Sequence, residues 1–439
     1  MVSYMFQQSH FIMQRQSILD QQLEKLPQTI EFCDRCVVSN QRPRIQFEDG
    51  VCGACKFTDI KNEEIDWDER EAELRQLCDE HRREDGRYDV VVPASGGKDS
   101  SMVAHKLKHK YDMHPLTVTW APFEYTPIGY QNFRNMVKSG FNNIMCWQNG
   151  EIHRKLARLS FEVLGDPWQP FTYGQLAFAF HVALNHDIKL VFFGENGEAE
   201  YSGNPEVFEH RGMPIDKWAE QYFKGITIDD LIEYGTENTS YLSETDYEES
   251  DLQFYRPPDI NKLRKYGAEF HWFSYYEKWI PQENYYFAVE HADFEANPDG
   301  RSEGTYSKYA SLDDRFDGFH YYLKFIKFGI GRATADAAHE VRDGHISRDE
   351  AIALVKKYDG EFPSRWFDEF LEYLGISEAH FWNVVDDFRS PHVWKVDDGE
   401  WRLRDAVYHD IKIENYDLEF SAGYRDTVPE LSKPANREI

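Results

Sequence analysis

The sequence predicts an α/β protein with a parallel sheet, preceded by a four-cysteine module and followed by a mostly helical C-terminal region. Three observations predict this class. Short apolar segments alternate with helical ones between residues 88 and 195, two cysteine pairs lie within residues 33–55, and helical patterning returns after residue 307. At roughly 150 residues per domain, the 439 residues predict two or three domains.

The chain divides into parts that differ in composition and in hydrophobic pattern. Residues 1–30 are Gln-rich without a clear period, so we expect an arm, whereas the stretch after residue 200 is aromatic and acidic. The predicted parts are an N-terminal arm (1–30), a four-cysteine zinc module (31–60), an α/β domain (61–200), an aromatic and acidic insertion serving as a substrate or partner region (201–306), and a helical C-terminal region (307–439).

Short Val-rich and aromatic runs predict strands, which are typical of a parallel sheet covered on both faces. The predicted strands are 88–94, 114–121, 143–147 and 188–195. Helical patterning predicts helices at 62–85, 100–110, 131–140, 151–164 and 172–186. In the C-terminal region, Ser347 followed by Glu350 predicts a capping box at a helix start.

Composition limits the partners. Lys and Arg number 49 against 78 Asp and Glu, which gives a formal net charge of −29, and the mean hydropathy is −0.68. A surface this negative repels phosphate backbones, so we expect no nucleic-acid partner and no anionic membrane surface, apart from one local basic pocket. Aromatic residues make up 15%, more than a disordered acidic chain carries.

No targeting or membrane segment is recognisable. The first residues lack the basic and apolar regions of a signal peptide. No apolar run reaches the roughly 20 residues that span a bilayer. The most apolar stretch, 171–185, contains Gln175 and His181 and predicts a buried helix. We therefore expect no membrane span and a cytoplasmic location.

A glycine-rich turn joins the first predicted strand to a helix. Backbone N–H groups of such a turn, the helix dipole and serine hydroxyls together make an anion site. Lys98 can contact phosphate as a point charge, and Asp99, which bare phosphate would repel, is expected to bind Mg²⁺. A lone Ser-Gly-Gly would be an ordinary turn, but strand, turn, acid and helix together favour a phosphate cradle. Its residues are Ser95, Gly96, Gly97, Lys98, Asp99 and Ser100.

Four cysteines have the spacing of a metal site. Cys33 and Cys36 form one C-x2-C pair, and Cys52 and Cys55 form a second pair after fifteen intervening residues. Each pair can present two thiolates to one tetrahedral ion, so we expect a structural zinc site. Unliganded thiols and an iron–sulfur cluster are the alternatives.

The string SGGKDS (95–100) resembles the PP-loop signature of ATP pyrophosphatases. This resemblance implies an adenine nucleotide alpha hydrolase-like fold for residues 61–200, which would bind ATP and release AMP and pyrophosphate. Together with four other strings, SGGKDS makes the chain resemble the bacterial N-acetyl sugar amidotransferases. These are the WbpG/PseA-like enzymes of surface-glycan and lipopolysaccharide biosynthesis. The four strings are the cysteine string 33–57, GENGEAEYSGN (194–204), YYLKFIKFGIGRAT (321–334) and HEVRDGHISRDEAIALVKKYDGEFP (339–363). The resemblance spans roughly residues 31–375.

That resemblance implies conversion of an acetamido group on a sugar, free or nucleotide-activated, to an acetamidino group. The amide oxygen would attack the α-phosphorus of ATP, giving an O-adenylyl imidate and pyrophosphate, and ammonia would then displace AMP. Cys78 lies in a charged helix and Cys146 in a strand, so neither resembles a glutaminase nucleophile. The family implies a glutaminase subunit and a cyclase-like companion subunit that supply ammonia.

These demands assign roles to residues at the strand ends. Thr119 and Trp120 would lie beside adenine, and Gly194 would let the backbone approach the nucleotide, since ligands bind at the carboxyl ends of parallel strands. The catalytic candidates are Lys98, Asp99, Glu195 and Asn196, and the candidate ATP ligands are Ser95, Gly96, Gly97, Lys98, Asp99, Ser100, Thr119, Trp120, Gly194, Lys327 and Arg332.

Several of these residues could have a purely structural role instead. Glu195 could be a packing residue. Lys327 and Arg332 could serve a helix end rather than a phosphate or a substrate carboxylate. The segment 303–318 could line the sugar site or form an ordinary polar loop.

Two other functions fit parts of the pattern. A PP-loop tRNA thiolase also uses four cysteines and SGGKDS, but it needs a basic surface and further catalytic cysteines. The net charge of −29 and the isolated Cys146 count against it. A non-catalytic nucleotide- or zinc-binding scaffold is the other alternative, and the intact Lys98 and Asp99 count against that.

Overall fold

The computed structural model describes residues 18–212, 217–218 and 222–409. The predictions for residues 1–17 of the arm and for residues 410–439 of the C-terminal region lie outside the described residues.

Short strands and amphipathic or buried helices alternate along most of this range. The strands are β1 (Phe47–Glu48), β2 (Val51–Cys52), β3 (Val90–Pro93), β4 (Pro115–Trp120), β5 (Asn143–Cys146), β6 (Leu190–Phe193), β7 (Glu269–Trp272), β8 (Trp394–Asp397) and β9 (Glu400–Leu403). The α-helices are α1 (Gly53–Glu63), α2 (Trp67–His81), α3 (Lys98–His109), α4 (Pro127–Lys138), α5 (Gly150–Leu164), α6 (Gln169–Asn185), α7 (Ile228–Asn238), α8 (Glu249–Leu252), α9 (Ile260–Tyr266), α10 (Phe273–Tyr276), α11 (Pro281–Ala292), α12 (Asp317–Phe328), α13 (Arg332–Arg342), α14 (Arg348–Tyr358), α15 (Phe367–Leu374) and α16 (Glu378–Asp387).

The central sheet is parallel, and its order is β5-β4-β3-β6-β7. The chain starts in the middle at β3, moves outward through β4 and β5, and returns to the other side of β3 at β6. The strand order therefore reverses between β3 and β6. In open α/β sheets, ligands bind in the crevice outside the carboxyl ends of the strands at such a reversal.

The central strand β3 explains why both faces of the sheet are covered. Its consecutive valines alternate in direction, as in any strand. Val91 joins a core cluster with α5 and α6, whereas Val90 and Val92 join a separate cluster with α2 and α3. A fully apolar run is therefore required, which is why the strand is readable from the sequence.

The predicted α/β class with a parallel sheet is confirmed, and so is the mostly helical character of the described residues after 307. The capping box is also present, with the Ser347 side chain accepting from the Glu350 N–H and the Glu350 carboxylate accepting from the Ser347 N–H. Membership of the PP-loop superfamily and the domain boundaries stay predictions. Among the described residues, no helix is both long and apolar enough to cross a membrane.

The fifth strand, β7, comes from the aromatic and acidic stretch and has no signal in the sequence pattern. It has only four residues and lies at the edge of the sheet next to β6. Its first residue is exposed and only its last two are buried, so it lacks the apolar run of a central strand. The chain between residues 201 and 306 thus contributes to the sheet as well as lying beside it.

A glycine in α6 lets this helix pack closely on the sheet. A Cβ on Gly174 would overlap the indole of Trp120, which lies on β4. We expect Gly174→Ala to lower the free energy of unfolding by about 1–3 kcal/mol, the usual effect of overpacking a core. Denaturant unfolding measures this change. The matched control is Gly150→Ala at the start of α5, where a Cβ would meet nothing within 4 Å, and a loss of stability there equal to that of Gly174→Ala would contradict the packing argument.

Candidate functional site

Two predicted segments meet at the reversal of the sheet. The turn 95–100 follows β3, and residues 194–196 follow β6. Because β3 and β6 are neighbouring parallel strands, their carboxyl ends lie at the same edge of the sheet. The fold therefore brings the phosphate cradle beside Glu195 and Asn196.

The cradle has the backbone geometry of an anion site. Gly96 has φ +88°, and a Cβ there would overlap the backbone of Phe133, so only glycine fits. Gly97 is the N-cap residue of α3, and no side chain caps that helix. The first-turn N–H groups and the positive end of the helix dipole are therefore left for an anionic ligand.

Lys98 and Asp99 lie next to each other at the start of α3. Their side chains form an ion pair, and the amide Nδ2 of Asn284 donates to Asp99 Oδ1 at 2.9 Å. The Asp99 side chain keeps 33% of its surface exposed. An exposed carboxylate beside a row of N–H donors fits a Mg²⁺–phosphate group, since Mg²⁺ prefers oxygen ligands shared with phosphate.

The C-terminal region reaches the cradle through the segment 303–318. The Asp313 carboxylate faces Ser95, and burial, followed by the charge of Asp317, raises the pKa of Asp313. The Tyr309 ring lies 6.0 Å from Lys98 Nζ. Of the two interpretations of this segment, its placement at the cradle favours the functional one.

Glu195 lies beside the cradle, after the end of the neighbouring strand β6. Burial, followed by the negative charge of Asp99, raises the pKa of Glu195 to about 7, and Lys98 opposes this rise. A carboxyl group with this pKa can exchange a proton at neutral pH.

Asn196 and Gly194 are fixed in place by hydrogen bonds to neighbouring residues of the fold. The Asn196 side-chain oxygen accepts from Glu198 N at 3.1 Å, and the Asn196 N–H donates to Ser274 Oγ at 2.9 Å. Gly194 O accepts from Ser274 N at 3.1 Å, and a Cβ on Gly194 would lie 3.0 Å from Trp279. The structure thus shows Asn196 shaping the turn after β6, and its proposed contact with substrate stays a prediction.

Thr119 and Trp120 lie inside the fold. The Thr119 hydroxyl donates to the carbonyl of Ala94, and the Trp120 ring packs against Phe178 and Tyr255 with centroids 5.9 and 5.1 Å away. Both side chains are buried. They support the strand that precedes the cradle, and their predicted place beside adenine stays a prediction.

Lys327 and Arg332 differ in their surroundings. Lys327 Nζ pairs with Asp20 at 2.8 Å, donates to Leu164 O at 2.9 Å and is 2% exposed, so it belongs to the core. Arg332 pairs with Asp336 at 3.0 Å and is close enough to Asp313 to lower the pKa of that carboxyl. The structure brings Arg332, but not Lys327, towards the cradle.

The four cysteines near the N-terminus can hold a zinc ion. Their Sγ atoms lie within 4.8 Å of one another, with Cys33–Cys55 at 3.8 Å and Cys36–Cys52 at 3.7 Å. A tetrahedron with Zn–S bonds of about 2.3 Å has S···S edges of about 3.8 Å. All four are buried, and the spacing leaves no room for a multi-iron cluster between the sulfurs.

The zinc module and the end of α1 contact residues 198–203, the segment that follows β6 and Glu195. Arg44 forms two hydrogen bonds with Glu198 at 2.7 and 2.9 Å. Lys61, which directly follows the module on α1, pairs with Glu200 at 3.0 Å in the interior. A Cβ on Gly203 would overlap the backbone of Gly53 at the start of α1, so the two backbones are in direct contact. The module therefore fixes residues 198–203, just after Glu195.

Sequence patterns alone miss Asn284 and Tyr201. Asn284 lies on α11 in the insertion, 185 residues from its partner Asp99, and no local motif marks it. Tyr201 lies in the string shared with the amidotransferases, and its phenol is close to both Glu195 and Asp99. That string was the available signal.

We expect the purified protein to contain one zinc ion per chain, and Cys36→Ser to lose it. Stability should fall by several kcal/mol, since binding free energies of structural zinc reach about 10 kcal/mol or more. Elemental analysis and thermal unfolding measure both effects. Cys146→Ser, a change outside the cluster, is the control, and iron or no metal in the wild-type protein would contradict the zinc assignment.

Comparison with known proteins supports part of the resemblance. Residues 303–408 match the family model described as "LPS biosynthesis protein WbpG-like, C-terminal domain". A search of the curated proteins finds no match. The match covers the segment that carries Asp313 and Arg332 to the cradle. It supports a relationship to the WbpG-like family, whose description places that family in lipopolysaccharide biosynthesis.

Proposed function

We propose that the chain is an ATP-dependent amidotransferase that converts an acetamido group of a bacterial surface-glycan sugar into an acetamidino group. The observation that carries this proposal is the crevice between β3 and β6, where the SGGKDS turn, Glu195 and Asp313 of the WbpG-like region meet. ATP and the sugar are the substrates, and AMP and pyrophosphate are the by-products.

In this proposal the cradle binds the phosphates of ATP. The N–H groups at the start of α3, the hydroxyls of Ser95 and Ser100, and the Lys98 ammonium would neutralise the departing pyrophosphate. Asp99, oriented by Asn284, would hold Mg²⁺, which supplies further charge neutralisation on the phosphates. Catalysis by such a site depends on positioning and electrostatics.

The reaction needs activation because an amide carbonyl is a poor electrophile. The amide oxygen bonds to the α-phosphorus as the α–β phosphate bond breaks, which gives an O-adenylyl imidate and pyrophosphate. Ammonia then adds to the imidate carbon, loses a proton, and AMP leaves with the former amide oxygen. Glu195 has the pKa of a base for that proton at neutral pH.

The cysteines favour this proposal over sulfur transfer to tRNA. Outside the zinc module the chain has only Cys78 and Cys146. Burial raises the pKa of Cys78 to about 12 and of Cys146 to about 11, so both stay as thiols. Neither is suited to act as a nucleophile. Without such a thiol, ammonia comes from a partner in this proposal, and the glutaminase subunit and its cyclase-like companion are proposed from the family resemblance.

We expect the protein, supplied with Mg²⁺, ATP, ammonium and a diacetamido sugar, to release AMP and pyrophosphate in step with an acetamidino product. Asp99→Asn should lower turnover by about 10²-fold or more, because it removes a charge that positions Mg²⁺. Mass spectrometry and nucleotide chromatography measure the products. Asp398→Asn on the exposed β8–β9 turn is the charge-matched control.

Release of ADP would contradict the proposed chemistry. Full turnover by Asp99→Asn would contradict the role of this carboxylate. Zinc content should be the same in both variants, since neither residue lies in the zinc module.

The pH dependence of turnover tests Glu195 as the base. A base acts when deprotonated, so kcat, measured with saturating ATP and sugar at a fixed concentration of free ammonia, should rise as pH increases through about 7 and then level off. Glu195→Gln should lower the rate by about 10²-fold or more and remove that step. Glu237→Gln, an exposed change on α7, is the control. A Glu195→Gln variant with the wild-type profile would contradict this assignment.

A further inference from the structure

Three cations converge beside the crevice and have no role in the steps above. They are Arg42 of the zinc module, Lys324 of α12 and Arg332 at the start of α13. We propose that they form a second anion site, which binds an oxyanion of the amide substrate, either a carboxylate or a diphosphate. The identity of the occupant as the amide substrate rests on the proposed function, whereas the anion site itself rests on the geometry below.

Two tyrosine rings connect the three cations. The Arg332 guanidinium lies 4.4 Å and Lys324 Nζ 5.8 Å from the Tyr321 ring centroid, and the Arg42 guanidinium lies 5.4 Å from that of Tyr201. Arg332, Glu195 and Asp99 all act electrostatically on the Tyr201 phenol. The cation cluster and the phosphate cradle therefore both lie close to the Tyr201 phenol.

The acids that act on Arg42 and Lys324 bind groups other than these two cations. Asp336 binds Arg332 at 3.0 Å through one oxygen and the Thr305 hydroxyl at 2.6 Å through the other. Asp359 accepts from Gly331 N at 2.9 Å and from the N–H and hydroxyl of Thr334 at 3.0 and 2.6 Å.

The third acid, Glu198, uses both oxygens on Arg44. Within the described part of the chain, the side chains of Arg42 and Lys324 form no ion pair with a carboxylate. The Arg42 side chain donates one hydrogen bond, to Ser202 Oγ at 3.1 Å.

Such cations are unusual in a chain with a net charge of −29. Removing an unpaired cation from water is unfavourable unless an anion compensates it. Arg42 and Lys324, which have no carboxylate partner among the described residues, therefore fit, together with Arg332, a ligand that brings its own negative charge. The rings of Tyr201 and Tyr321 offer flat surfaces for a sugar or base attached to that charge.

The charge of Lys324 responds to its surroundings. Burial, followed by Arg42 and Arg332, lowers the pKa of Lys324 to about 7, while Asp359 and Asp336 oppose this shift. Burial also raises the pKa of Tyr321, so this phenol stays neutral. Because a bound anion favours the charged ammonium, affinity should be highest below about pH 7 and should fall as pH rises above it.

The test separates this site from the cradle. The cradle is first saturated with Mg²⁺ and α,β-methylene-ATP, and calorimetry then measures binding of two probes. UDP-N-acetylglucosamine carries a diphosphate and no carboxylate, and N-acetylneuraminic acid carries a carboxylate and no phosphate. Neither anion titrates near neutral pH, so the pH dependence reports on the protein.

We expect saturable binding of one probe, which identifies the oxyanion. Lys324→Met and Arg42→Gln should each weaken it by about tenfold or more, as for loss of a charge-assisted hydrogen bond, with the affinity for α,β-methylene-ATP unchanged. Lys324→Arg should retain binding and lose the pH dependence, because arginine stays charged. Lys189→Met is the charge-matched control, since Lys189 is exposed beside the first residue of β6, at the opposite end of that strand from Glu195.

Failure of the two proposals gives different results. Absence of binding by both probes, or wild-type affinity in Lys324→Met and Arg42→Gln, overturns the anion site even when α,β-methylene-ATP binds. If α,β-methylene-ATP does not bind but a probe still depends on Lys324, the ATP-dependent function is overturned and the anion site is supported.

Discussion

The candidate site depends on the contacts that the zinc module and the end of α1 make with residues 198–203, the segment after β6. Lys61 and Glu200 form an ion pair in the interior, and Arg44 holds Glu198 with two hydrogen bonds. Taking such charges out of water nearly cancels their attraction, so a pair of this kind specifies geometry more than it adds stability. Its position matters here because Glu195 lies directly before this segment. The four-cysteine cluster, a closed site that would have no catalytic role of its own, can therefore influence where Glu195 lies.

The crevice is built from parts of the chain that are far apart in sequence. The sheet supplies two adjacent strand ends, which place the SGGKDS turn beside Glu195. The C-terminal region supplies Asp313 and Arg332, and the zinc module supplies Arg42. None of these parts alone could surround a nucleotide and a second substrate, since each offers only one wall. The WbpG-like match over residues 303–408 thus covers a wall of the crevice rather than a separate appendage.

Local patterns in the sequence were sufficient for features that depend on local constraints. The valines of β3, the glycine at position 96 and the paired cysteines each meet a requirement that neighbouring residues impose. Lys324 and Lys327 show the limit of prediction from local sequence. They lie three residues apart on α12, and their sequence context does not reveal that Asp20, 307 residues away, binds Lys327 while Lys324 lies beside the Tyr321 ring. The edge strand β7 and Asn284 were unpredictable for the same reason, because only the folded chain provides their partners.

The acidity of the protein acts differently inside the crevice than on its surface. Asp99, Glu195 and Asp313 lie around the cradle, and burial raises the pKa of both Glu195 and Asp313. With its pKa raised to about 7, Glu195 carries only part of its charge at neutral pH, whereas the formal count of −29 assumes the full charge. In the proposed function, this partial charge would weaken the repulsion between the acidic lining and ATP. Mg²⁺ bound beside Asp99 would then favour the charged form of Glu195, so the acidic lining could admit an anionic substrate and still provide a base.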